Sequence, residues 1–223
     1  MNRFENVIAR PQTQVVTTNK VLKNTYMLLS ATLGFSALMA VVSMALAMPP
    51  MTYLLAFIGA MVMGIFVLPR TANSATGIGV IFLITGLLGF GLGPLLNMYL
   101  ALPKGPETIA TAMGGTGVIF LGLSGYALTT KRNFSFMGGF LFAGMMVVLI
   151  AALANIFLAM PALSLAVSAG IILLMSGFIL FDTSRIIHGG ETNYIMATYG
   201  LYLSIFNIFI NLLSILGVMG GDE

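Results

Sequence analysis

Apolar residues run in seven long stretches, at about Met27 to Met48, Met51 to Leu68, Thr76 to Tyr99, Thr108 to Thr129, Phe136 to Leu158, Ala162 to Ile186 and Tyr194 to Gly217. Each is close to the roughly 20 residues that carry a helix across about 30 Å of hydrocarbon. Membrane strands would be shorter and would alternate apolar with polar residues, and these stretches do not alternate. The pattern predicts an all-α, polytopic membrane protein with seven transmembrane helices. Ala45-Leu46-Ala47 imitates a signal-peptide cleavage site. However, 26 residues precede Met27 and the apolar run is too long for a signal-peptide core, so the first stretch reads as a retained span. Turns of two to eight residues join the spans, which makes chain neighbours mostly antiparallel within one domain at 27–219. Residues 1–26 are polar and read as a flexible cytoplasmic tail; residues 220–223 form a short end on the other side.

Charge sets the expected orientation. Arg3, Arg10, Lys20 and Lys23 precede span one, Arg70 follows span two, Lys131 and Arg132 follow span four, and Arg185 closes span six. With seven spans all eight fall on one side, and only Lys104 falls on the other. By the positive-inside rule the N-terminus is cytoplasmic and Asp222-Glu223 extracytoplasmic. Adding or deleting one helix would scatter these charges, so the asymmetry also supports the span count. The net charge of +3 is therefore a topology signal and not a nucleic-acid footprint.

Composition narrows the chemistry. Charged residues make up 7% of the chain and hydrophobic ones 59%, which points to lipid as the main surroundings. With no cysteine and one histidine, thiolate sites, Cys nucleophiles and His-rich zinc sites are excluded. Gly122-Leu123-Ser124-Gly125 has the form of a membrane serine-protease nucleophile, but the one histidine lies in a loop, and an aspartyl dyad needs two intramembrane carboxylates where only Asp182 exists. No enzyme and no cofactor are expected. Small residues four apart, Gly89 and Gly93, Ser30 and Gly34, Ser164 and Ser168, read as seams where helix backbones approach.

A function would sit at polar groups of membrane depth. Gly200, Ser204, Asn207, Asn211 and Ser214 recur at intervals of four and three, so span seven turns one polar, small-residue face toward protein. That face predicts a central helix whose asparagines bond to neighbouring helices, either as a packing seam or as the lining of a water or ion path. Asp182 lies near the cytoplasmic end of span six, and Arg185 one turn on is placed to pair with it. Burial and the arginine act on its protonation in opposite senses, so it reads either as half of a structural ion pair or as a gating, ion-contacting carboxylate. His188, in His188-Gly189-Gly190-Glu191, reads as a helix end, with a pH sensor as the alternative.

Phe181-Asp182-Thr183-Ser184 closing span six and Leu201-Tyr202-Leu203-Ser204-Ile205-Phe206-Asn207-Ile208-Phe209-Ile210-Asn211-Leu212-Leu213 in span seven resemble the Bax inhibitor-1 family over almost the whole chain. Lys20-Val21-Leu22-Lys23-Asn24-Thr25-Tyr26, Phe134-Ser135-Phe136-Met137-Gly138-Gly139 and the stretch Ile187 to Ile195 are similar to its bacterial inner-membrane members. The resemblance implies six helices around a central seventh. It also implies one of two functions. Some members are pH-sensitive calcium leak channels, gated by a carboxylate at the end of span six paired with another in span seven. Asp182 matches the first and would be the calcium contact; Ser204 stands at the second, so the pair is incomplete. Others are linked to the membrane-anchored AAA+ protease FtsH, as slowly degraded substrates that modulate turnover of membrane proteins, the translocon indirectly among them. The resemblance thus implies the bilayer and FtsH as partners, and calcium only as a transported ion.

Overall fold

The computed structural model describes the backbone of residues 5–220 and side chains from residue 18 to residue 220. Residues 1–4 of the expected tail, and residues 221–223 with Asp222-Glu223, lie outside that range. Seven helices are long and apolar enough to cross a membrane. We number them α1 (Glu5–Ala45, its span Thr18–Ala45), α2 (Met51–Thr71), α3 (Ala75–Leu100), α4 (Gly105–Thr130), α5 (Met137–Leu158), α6 (Pro161–Ile187) and α7 (Tyr194–Gly220).

Six spans agree with the sequence pattern to within three residues at each end. The first does not. Helix α1 is continuous from Glu5 through Ala45, so it is already helical well before Met27. Residues 18–26 are thus packed helix and not tail, because Val21 and Thr25, one turn apart, are buried while Lys20 and Lys23 face outward. The polar residues hid an amphipathic helical turn.

Helix α7 lies inside the bundle, touching α1, α3, α4 and α6, but the six others do not all ring it as expected. Tyr199 reaches α2 as well, where Gly64 lies in a π-helical segment, Met63–Val67; a Cβ on Gly64 would fall inside the Tyr199 side chain. The interior is shared with α3, more than half of whose membrane window is buried. Helix α5 stands at the rim. It packs on α6, where Leu141 fills the notch at Gly177 and Leu174 the notch at Gly144.

Helices α1 and α3 run side by side along their length. A Cβ on Gly89 would collide with the Ser36 carbonyl oxygen, and one on Gly93 with Ser43 Oγ. The seam expected from Gly89 and Gly93 is therefore real. Ser30 and Gly34 are not a seam: both are exposed, and a Cβ on Gly34 would meet nothing within 4 Å. Ser168 is buried, but Ser164 is exposed. Equal spacing does not tell the protein-facing side of α1 from the lipid-facing side.

Hydrogen bonds gather three loops at one end of the bundle. Asn193 Nδ2, before α7, donates to the Ala72 carbonyl and to Asn73 Oδ1 in the α2–α3 turn at 3.0 and 2.8 Å. Ser184 accepts from Phe134 N and donates to the Arg132 carbonyl in the α4–α5 loop. Arg70, Lys131, Arg132 and Arg185 consequently share that end, as the charge pattern requires.

The seam yields a contrast in stability. Gly89→Leu should cost about 1 to 3 kcal/mol, because the obstacle is backbone that cannot rotate away. Gly34→Ala should be neutral or gain up to about 1 kcal/mol from helix propensity. Thermal unfolding in detergent micelles measures both, and equal transitions would remove the seam from the account.

Candidate functional site

Four consecutive residues at the end of α6 meet four different neighbours. Asp182 points at α7, where Gly200 has no side chain; a Cβ there would come within 2.8 Å of Asp182 Oδ2. Thr183, fully buried, receives Tyr26 of α1, whose hydroxyl lies 3.5 Å from Thr183 Oγ1 and also bonds to Ser124 Oγ of α4. Ser184 holds the α4–α5 loop through Arg132 and Phe134. Arg185 turns out of the bundle to Glu191 Oε2 at 3.3 Å and to the Gly190 carbonyl, its guanidinium resting 5.5 Å from the Phe181 ring centre.

This corrects the expected Asp182–Arg185 pair. Arg185 is engaged by the α6–α7 turn, because the chain reverses there and brings Glu191 back over the helix end. Asp182 has no hydrogen bond or ion pair with any of the described residues. The turn itself is a C-terminal cap: Gly189 has φ +74°, and the amides of Gly190 and Glu191 both donate to the Arg185 carbonyl at 2.8 and 3.1 Å. His188 is exposed, with Nδ1 2.8 Å from the Ser184 carbonyl oxygen, so it sits at the helix end as read from sequence. Beyond the turn, Asn193 Oδ1 caps α7 by accepting from Ile195 N and Met196 N.

The polar stripe of α7 is present but differs in its bonding. Ser204 Oγ donates to the Gly200 carbonyl at 3.1 Å, Asn207 Nδ2 to Leu203 O at 2.9 Å, and Asn211 Nδ2 to Asn207 O at 2.8 Å. Ser204 and Asn211 are buried and Asn207 is half-buried. The expectation of bonds to neighbouring helices fails here. Each side chain turns back on its own helix, where the i−4 carbonyl is always within reach. Ser204 therefore places a neutral hydroxyl, already bonded, one turn beyond the glycine that faces Asp182.

Bonds that do cross between helices are made by residues outside that stripe. Tyr202, 1% exposed, shares a 2.6 Å hydrogen bond with Ser36 of α1 and donates to the Thr85 carbonyl of α3 at 3.3 Å. Thr198 Oγ1 reaches the Thr25 carbonyl of α1 at 3.2 Å. Ser124, considered as a nucleophile and set aside, is 3% exposed and bonded to Tyr26. A usable signal lay in these hydroxyls: a tyrosine inside a span needs a partner for its polar tip, and Ser, Thr and backbone carbonyls are the partners on offer. No group of three or more His, Cys, Asp or Glu that could hold a metal ion occurs among the described residues.

The model of the family described as inhibitor of apoptosis-promoting Bax1 matches residues 18–221. The chain belongs to the Bax inhibitor-1 family. A protein of Escherichia coli K12 named modulator of FtsH protease YccA is 53% identical over 211 residues, 95% of each chain. In Escherichia coli O6:H1 a protein named inner membrane protein YccA has the same identity and coverage. An uncharacterized membrane protein of Vibrio cholerae is 52% identical over 206 residues, 92% of each chain. Family membership, the all-helical fold and the membrane setting therefore stand together.

Double-mutant cycles test the pairing at this end. Arg185→Gln with Glu191→Gln should show a coupling of about 0.2 to 1 kcal/mol, as befits a half-exposed pair. The cycle of Arg185→Gln with Asp182→Asn should show less. Chemical or thermal unfolding in one detergent gives both values, and the reverse order would restore the Asp182–Arg185 pair.

Proposed function

We propose that this protein binds and modulates the membrane-anchored AAA+ protease FtsH, as a slowly degraded substrate or inhibitor, in membrane-protein quality control. Its role is non-catalytic, needs no cofactor and bears on the translocon only indirectly. The observation that carries the reading is the identity of 53% over 95% of both chains with the relative named modulator of FtsH protease. The architecture is compatible with it. Residues 1–17 precede the membrane span and offer a segment for an ATP-driven protease to engage, while close helix seams resist extraction of the bundle. The charge asymmetry supports a cytoplasmic N-terminus and a periplasmic C-terminus, and the relative named inner membrane protein supports the bacterial inner membrane as the setting.

Deleting residues 2–17 leaves the span Thr18–Ala45 untouched, with Lys20 and Lys23 still present to hold topology. The truncated protein should insert normally and live longer than wild type in cells that contain FtsH. An unchanged half-life counts against the substrate reading.

One observation favours a second reading, a calcium or other cation leak. Asp182 is without a hydrogen bond or ion pair among the described residues, and it faces α7 at Gly200. Against it stands Ser204, a bonded hydroxyl where two-carboxylate gates have an acid. Wild-type protein in liposomes should pass little calcium at neutral pH. Ser204→Asp should create a pH-dependent leak, and adding Asp182→Asn should abolish it. Strong wild-type flux that is lost with Asp182→Asn alone would put the channel reading ahead.

A further inference from the structure

A recess of about 300 Å³ lies between α1 and α3, lined by Phe35 and Met39 of α1 and by Phe82, Leu83, Leu87 and Phe90 of α3. It plays no part in the site at the end of α6. From Ala75, Phe82 stands about 10 Å and Phe90 about 22 Å along α3, so the recess covers about 12 Å in the middle of the hydrocarbon. It opens away from the bundle at Leu83, which is 51% exposed. No polar side chain lines it.

Its walls are built to stay apart. Phe35 and Phe82 meet edge to face at a centroid distance of 5.5 Å. The Phe35 ring is seated on Gly86, where a Cβ would come within 2.6 Å of its Cε1. Behind this wall, the residues next in sequence, Ser36 and Thr85, are both tied to Tyr202. Collapse of the recess would require the rings to leave Gly86 or the α1–α3 seam to open at Gly89, where the backbones already touch.

An apolar recess held open at this depth does not hold water, and an empty one forfeits the contacts of its lining atoms. We propose that it is a binding site for one acyl chain of a bilayer phospholipid, held in register between α1 and α3. The hydrocarbon tail is the chemistry that matches: it is apolar, linear, and the bulk component at the depth where the recess opens. A second protein helix is the competing occupant. A helix about 10 Å across is too wide to enter between two helices whose backbones are in contact.

The test uses full-length protein reconstituted with a phosphatidylcholine that carries a diazirine in one acyl chain. The sample is then washed in detergent, irradiated, digested and mapped by mass spectrometry. Label should concentrate on residues 82–90 and 35–39, several-fold above the lipid-facing segment 140–157 of α5, and should survive the wash. Leu83→Trp, which fills the mouth, should bring that label down to the α5 level with an unchanged thermal transition; Met39→Phe serves the same purpose should the tryptophan impair folding. Equal labelling of α5 and the recess in wild type overturns the proposal, as does label unaffected by both fillers. So does a cross-link at Leu83 to another protein in native membranes, obtained with a benzoyl-phenylalanine placed there.

Discussion

Where α1 crosses α3, the Ser36 carbonyl oxygen occupies the place that a side chain on Gly89 would take. The positions of several other groups depend on that close approach. Lipid tails are as apolar as leucine, so helices in a bilayer are held together by close packing and a few polar contacts more than by escape from solvent. Backbone contact at Gly89 and Gly93 maximises the first and sets the spacing for the second. It brings Ser36 and the Thr85 carbonyl near enough for one tyrosine of α7 to bond both. Helix α7 is positioned by that tyrosine and by its neighbours on the same two turns: Thr198 meets α1, Tyr199 meets α2, and Gly200 meets Asp182 of α6.

The end of α6 is organised by a different rule. Its last residues must satisfy carbonyls that no further helical turn will bond, and the Gly189 turn does so by folding Gly190 and Glu191 back over Arg185. The fold-back carries Glu191 to the guanidinium. Asp182, one turn deeper, is left facing a glycine. An acid held in this way, without a hydrogen bond or a direct ion pair among the described residues, differs from the ion pair that spacing alone suggests. The family relationship and the near full-length likeness to a named protease modulator place the weight on regulation.

Legibility in the sequence was uneven for physical reasons. Six helices could be read to within three residues, since the hydrocarbon thickness sets how many apolar residues a span must have. Helix α1 began earlier than its polar residues suggested, because Lys20 and Lys23 lie on one face while Val21 and Thr25 lie on the other. The stripe on α7 was visible from its spacing. Its bonding was not, because an asparagine reaches its own i−4 carbonyl as easily as a neighbouring helix. Ser30 and Gly34 have the same spacing as Gly89 and Gly93, yet only the second pair meets another helix. The resemblance through Phe181 to Ser184 and Leu201 to Leu213 singled out Asp182 and Ser204 but said nothing of Tyr26, Ser36 or Thr85, which do the joining.

What the chain alone determined was everything that depends on one residue and the bilayer: the number of spans, their lengths, the clustering of positive charge at one end, and the family. These are one-dimensional properties, summed along the sequence against a solvent of known thickness. Tertiary structure decided which partner each polar group took: Glu191 and not Asp182 for Arg185, the parent helix for Asn207 and Asn211, and Ser36 with Thr85 for Tyr202. Such choices depend on differences in distance between competing partners, some close in sequence and some on other helices. Those differences exist only once the helices have packed.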